Sequence, residues 1–200
     1  MSGQDSQHPH VSIKSKSPRT YLVIYNIQSK SNIKDLMNTA FAFGCVEVWL
    51  VGSTKDEQKA KLMSKQFKEV SNDRQIQLVV FSKWNDVLEH MKTFSKMALV
   101  GVEIDQRSYI LNDRDAVPPF ALDFDDLAIL MGNEGQGIHA KHLEACEGRL
   151  IRIPQYGTGT ASLNVNVACS IVLYHFHQWK YRMLALAQKG DDGMENSVKI

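Results

Sequence analysis

Three cysteines in 200 residues, Cys45, Cys146 and Cys169, are too few and too scattered for a disulfide framework. No Asn-x-Ser/Thr acceptor site occurs either, so the chain is expected in a reducing, intracellular setting, cytoplasmic or nuclear with an organelle left open. No run approaches the roughly 18 consecutive apolar residues of a membrane span, and residues 1–20 lack the apolar stretch of a signal peptide. A soluble protein without membrane contact is the expectation. An excess of one charge is missing too: 23 Lys+Arg stand against 22 Asp+Glu, a formal net charge of +1. The chain therefore has neither the basic field of a general DNA or RNA binder nor an acidic solvating tail. With 44% hydrophobic and 22% charged residues, the composition is that of one globular domain, not of a collagen-like, coiled-coil or disordered chain.

What is present is an alternation of two patterns. Short apolar, β-rich runs at 21–25, 46–51, 76–81, 97–102, 127–131 and 149–153 read as strands covered on both faces. Between them lie helical spacings at 33–43, 54–70, 84–94 and 138–145, and a last helix is predicted over 160–187. In the first of these, Ile33, Leu36, Met37, Ala40 and Phe43 form the apolar stripe and Gly44 closes the helix. Strands alternating with helices predict an α/β fold with a mainly parallel sheet over 20–187. Residues 1–19, rich in serine and carrying Lys14, Lys16 and Arg19, read as a disordered arm, and 188–200 as a disordered tail. The lysines of 54–70 read as a solvated face. Residues 106–125, with Pro118 and Pro119, show no clear pattern and read as a functional or mobile loop.

The common nucleotide motifs are absent. Residues 26–32, after the first strand, contain no glycine, which excludes the dinucleotide fingerprint. The glycines after the fifth strand lack the Gly-Lys-Ser/Thr of a P-loop, and no Gly-x-Ser-x-Gly elbow occurs. His139, His142 and Cys146 are close in sequence but lack the remaining ligands of a closed zinc site, so no metal is predicted.

Two clusters remain. Gly132-Asn133-Glu134-Gly135-Gln136-Gly137 ends a strand with three glycines around a carboxylate, which lets backbone amides approach a ligand closely. Residues 153–168 lead a glycine-containing loop into the last helix through Ser162 and Asn164, residue types suited to its first turn as caps or as ligand contacts. Capping does not explain Asn164 together with Asn166 inside an apolar helix.

In order and spacing these clusters resemble motifs 2 and 3 of the SpoU/TrmH group of RNA methyltransferases in the SPOUT superfamily. Gly132-Asn133-Glu134-Gly135-x-Gly137-Ile138 is similar to motif 2. Ile153-Pro154, Gly157, Ser162-Leu163-Asn164-Val165 and Val167-Ala168 are similar to motif 3. Asn32-Ile33, Thr39-Ala40 and Phe43-Gly44 resemble motif 1. The resemblance implies an α/β knot, with a deep C-terminal trefoil, and a homodimer with the active site near its interface. It implies S-adenosylmethionine as cofactor, contacted by Val102, Glu103, Gly132, Gly137, Ile153, Ser162 and Leu163. It places Asn32, Glu134, Ser162 and Asn164 at the methyl-acceptor site, usually a ribose 2′-hydroxyl of tRNA or rRNA. In-line methyl transfer asks chiefly for alignment and for assisted loss of the hydroxyl proton, which suits these residue types.

The chain departs from the pattern in motif 1. The family's arginine, held to contact RNA and assist deprotonation, is Asn38 here; its glycine is Lys34, and a common serine of motif 3 is Asn166. Lys34, or Arg107 from a second copy, is a candidate to restore the charge. A second reading follows from Asn38: a catalytically weak or inactive knotted protein that binds RNA, cofactor or a partner subunit. Residues 175–182 mix cations with aromatics and suit either an RNA contact or a dimer helix.

Overall fold

The computed structural model describes residues 18–52, 76–112, 118–121, 124–157 and 162–195. Residues 1–17 of the arm expected over 1–19, and the expected helix over 54–70 with its lysines, lie outside them.

Among the described residues, seven strands form one sheet: β1 (Arg19–Tyr25), β2 (Glu47–Val51), β3 (Gln77–Phe81), β4 (Met97–Val102), β5 (Tyr109–Ile110), β6 (Asp126–Met131) and β7 (Leu150–Arg152). Their order is β3-β2-β1-β6-β4-β7-β5, and every pairing is parallel. The apolar runs follow from that arrangement, because a central parallel strand has no wet face. β6 is buried along its whole length.

Among the described residues, four helices cover the two faces: α1 (Lys30–Ala42), α2 (Trp84–Met91), α3 (Ala140–Ala145) and α4 (Val165–Glu195). Strand alternation sorts the core into two halves. Leu22, Ile24, Leu50 and Ile129 pack with Ile33 and Leu36 of α1 and Val172, Leu173 and Phe176 of α4. Tyr21, Val23, Trp49 and Leu130 pack on the other face with Val87 of α2 and Cys146 beyond α3.

Four local differences from expectation have physical causes. β1 begins at Arg19, inside the stretch expected to be an arm, because the Arg19 guanidinium makes a bidentate pair with the Asp126 carboxylate, at 2.7 and 2.9 Å. The patternless 106–125 segment contains β5, which pairs with the end of β7. It also contains a 3-10 turn, Pro119–Ala121, whose Phe120 is buried against Phe176 and Trp179. A two-residue strand and a single turn are too short to leave a periodic signal. α4 starts at Val165, not at 160, and continues to Glu195 through the stretch expected to be a tail.

Since all strands run the same way, the loops leaving β1, β4, β6 and β7 emerge along one edge of the sheet. In open α/β sheets that carboxyl edge is where ligands bind.

Candidate functional site

At this edge the loops leaving β4, β6 and β7 surround a cleft of about 630 Å³. Its walls combine apolar side chains, among them Val102, Met131, Ile151, Ile153 and Leu163, with polar groups from Asn32, Asn133, Glu134, Ser162 and Asn164.

The β6 loop is folded on itself. Asn133 and Gly137 exchange backbone hydrogen bonds of 3.0 and 2.8 Å, and Asn133 Oδ1 accepts from the amides of Gly135 and Gln136. Asn133 Nδ2 donates to the carbonyl of Asn26, which ties the loop to the end of β1. Two glycines are required here. A Cβ on Gly132 would lie 2.5 Å from the Gly137 backbone, and Gly137, at φ +65°, would drive one into the Glu103 carboxylate. Glu103 closes the loop from β4, accepting 2.6 Å from Ile138 N and 3.0 Å from Ile104 N.

Glu134 reaches across to α1. Its Oε1 accepts from Asn32 Nδ2 at 3.0 Å and from Ser29 N at 3.2 Å, and its Oε2 accepts from Gln28 N at 3.1 Å. Burial pushes this carboxyl up, but the hydrogen bonds from Asn32 and the backbone amides outweigh it and hold the group below its ordinary value. Glu134 is thus an ionised anchor for the start of α1, which Ser29 caps. A carboxylate so committed is a poor proton acceptor.

Asn164 is the N-cap of α4: its Oδ1 accepts from Asn166 N at 2.8 Å and Val167 N at 3.3 Å. Its Nδ2 donates to Asn32 Oδ1 at 3.1 Å. Asn32 is therefore held at both ends of its amide, which fixes which atom faces which partner. Asn166 is explained by α1: its Oδ1 accepts from Thr39 Oγ1 at 2.8 Å, and Ser170 Oγ donates to its carbonyl.

Of the eleven motif-derived positions, ten line the cleft: Asn32, Val102, Glu103, Gly132, Glu134, Gly137, Ile153, Ser162, Leu163 and Asn164. Asn38 is the exception, exposed on α1 and not part of the lining. Lys34 is likewise exposed on α1. Arg107 is engaged within its own chain. Its guanidinium holds Asp105 with two 2.9 Å bonds, and this pushes the Asp105 carboxyl down to about 2. Sequence reasoning missed Ile104, Gln155 and Arg152 in the lining. Arg152 had one signal, a cation at the end of a strand directly before Ile153-Pro154. Among the described residues, no group of three or more His, Cys, Asp or Glu can hold a metal.

A parallel α/β sheet with a glycine-shaped cleft at its carboxyl edge, faced by an Asn-Asn-Glu hydrogen-bond chain, defines the class of protein. The model of the SpoU rRNA methylase family matches residues 19–174, and the chain belongs to that family. No curated protein matches it. Solved structures show the same fold. The AdoMet-bound rRNA methyltransferase from Sinorhizobium meliloti is 23% identical, with a TM-score of 0.62 over 84% of this chain and 59% of its own. The SpoU methyltransferase AviRb from Streptomyces viridochromogenes, in complex with AdoMet, is 20% identical, with a TM-score of 0.63 over 84% of this chain and 60% of its own. The A. aeolicus TrmH/SpoU tRNA modifying enzyme is 18% identical, with a TM-score of 0.60 over 94% and 93%. The chain thus spans about three fifths of the first two relatives and nearly all of the third.

Proposed function

We propose that this protein is an S-adenosylmethionine-dependent RNA methyltransferase acting on a ribose 2′-hydroxyl of tRNA or rRNA. The carrying observation is the chain Asn164–Asn32–Glu134, fixed at the mouth of the cleft by residues 132 and 102 positions apart. The cleft fits the cofactor: its apolar wall suits an adenine and its loops offer backbone groups on three sides. Val102, Glu103, Gly132, Gly137, Ile153, Ser162 and Leu163 would hold it. When bound it supplies an electrophilic methyl group for in-line transfer.

The chain's own residues then have separate tasks. Glu134 stays charged and keeps α1 in place. Asn32, immobilised by Glu134 and Asn164, keeps one N–H and one lone pair to orient a ribose hydroxyl. Ser162 Oγ, exposed at the cleft and making no hydrogen bond among the described residues, is free to engage the acceptor or its proton. Such alignment of a weak nucleophile can supply a large share of the acceleration.

Val167, Tyr174 and Tyr181 are 45%, 53% and 66% exposed at sevenfold spacing on α4, with Phe41 exposed on the neighbouring α1. An apolar stripe of that kind supports a homodimer through α1 and α4. The convergence of the β6 and β7 loops on one cleft supports the trefoil knot in the C-terminal part. The buried, unpaired Cys45, Cys146 and Cys169 support a reducing compartment.

Methyl incorporation from tritiated S-adenosylmethionine into total tRNA and total rRNA from a methylation-deficient host tests activity and substrate together. Asn38, exposed and off the cleft, favours the second reading, a weak or inactive binder. Retained cofactor binding without incorporation into either RNA is its signature.

A further inference from the structure

The cleft is lined by two carboxylates and one cation. Both carboxylates are spent on the protein's own donors: Glu103 on the amides of Ile104 and Ile138, Glu134 on Asn32 and the amides before α1. Among the described residues, Arg152 is the only Lys or Arg in the lining, and its side chain makes no hydrogen bond or ion pair with any of them.

This solitude is not for want of a neighbour. Val102 and Ile151 are register partners, and Glu103 N donates to the Ile151 carbonyl at 3.0 Å. Glu103 and Arg152 therefore follow one residue further along adjacent strands, about 5 Å apart in the backbone, where an ion pair would ordinarily form. The Glu103 carboxylate turns away to the β6 loop and leaves the guanidinium unmatched. Ile151 and Ile153 pack into the core beneath α1 and α4, so alternation sets the Arg152 side chain on the opposite face, the one Glu103 shares. A half-buried guanidinium in a concave wall is unfavourable unless an anion completes it.

We infer that Arg152 binds the carboxylate of the methyl donor's amino-acid moiety, in the bidentate geometry that guanidinium and carboxylate share. The inference rests on the reading of the cleft as the donor site. β7 lies two strands from β6, roughly 10 Å across the sheet, so the cation and the Asn32–Glu134 pair occupy opposite ends of the cleft. A donor anchored by its carboxylate at Arg152 has its sulfonium, four bonds further on, turned back toward the acceptor side.

Calorimetry on the full chain with S-adenosylhomocysteine and with 5′-methylthioadenosine, which lacks the amino-acid tail, tests this. Arg152→Gln is expected to weaken S-adenosylhomocysteine binding about tenfold or more and to leave 5′-methylthioadenosine binding unchanged. Arg152→Lys should recover part of the loss. Equal weakening of both ligands, unchanged S-adenosylhomocysteine binding, or a loss seen only in affinity for total tRNA would overturn the assignment. A wild-type chain that binds neither nucleoside overturns the donor-site reading itself; normal wild-type binding with an indifferent Arg152→Gln overturns only the role of Arg152.

Discussion

Asn32 and Asn164, 132 positions apart in the chain, share a 3.1 Å hydrogen bond that joins the first turn of α1 to the cap of α4. Asn164 thus does two things at once, and one substitution separates them. Asn164→Asp keeps the oxygen that caps α4 but replaces the Nδ2 donor with a second acceptor facing Asn32 Oδ1. Near wild-type thermal stability with methyl transfer reduced tenfold or more is expected. Asn164→Ala removes both functions, and the lost cap lowers stability by about 1 kcal/mol. Thermal unfolding measured beside methyl incorporation checks the pair.

The carboxylate of Glu134 sets a pH dependence. Its folded value lies below the ordinary glutamate value of 4.5, so its contribution is present above that value and is lost as pH falls through the folded one. Glu134→Gln should therefore be less stable than wild type at neutral pH, with the gap closing below about pH 4. Urea titrations at pH 7 and pH 3.5 measure it.

His142 works in the opposite sense from a charged partner. It is buried in contact with Tyr25 and Trp84, at ring distances of 4.2 and 4.3 Å, and its Nδ1 has no partner among the described residues. Burial, then the nearby His139 and Lys141, push it down to about 4. Because the unfolded chain binds this proton near 6.5, stability should fall as pH drops from about 6.5 to about 4, by about 1–3 kcal/mol. His142→Phe should flatten that window in melts recorded across it.

Arg19 and Asp126 pin the sheet's first strand to its central one. Asp126 is 2% exposed while the Arg19 side chain is 53% exposed. Arg19→Ala strands a buried carboxylate and should cost about 1–3 kcal/mol, more than Asp126→Asn, which removes the charge that needs a partner. Denaturant midpoints of the two variants decide the order.

All three cysteines are buried, and burial pushes the Cys45 and Cys146 thiols up to about 12. Thiolate is the reactive form. A thiol-specific reagent such as Ellman's should titrate none of them in the native protein and all three in denaturant.

The legible part of this molecule was local. Continuous apolar runs such as Leu127-Ala128-Ile129-Leu130-Met131 announce a strand buried on both faces, and the motif resemblance, from Asn32 to Asn164, already carried ten of the cleft's positions. The illegible part was short or long in range. Tyr109–Ile110 is too brief for a period, and the length of α4 was set by an Asn164 cap and by packing along Val172 and Phe176. The role of Asn166 needed Thr39, 127 positions away.

By itself, then, the sequence determined a parallel α/β sheet and the loops that carry the chemistry, because burial on two faces and close backbone approach each leave a mark in residue type. Tertiary structure alone decided what those residues do. The strand order brings the ends of β1, β4, β6 and β7 to one edge, which turns Glu134 into an anchor, leaves Asn38 outside and sets Arg152 in the wall without a partner. Which oxygen accepts which proton depends on register across the sheet, and no local pattern encodes that.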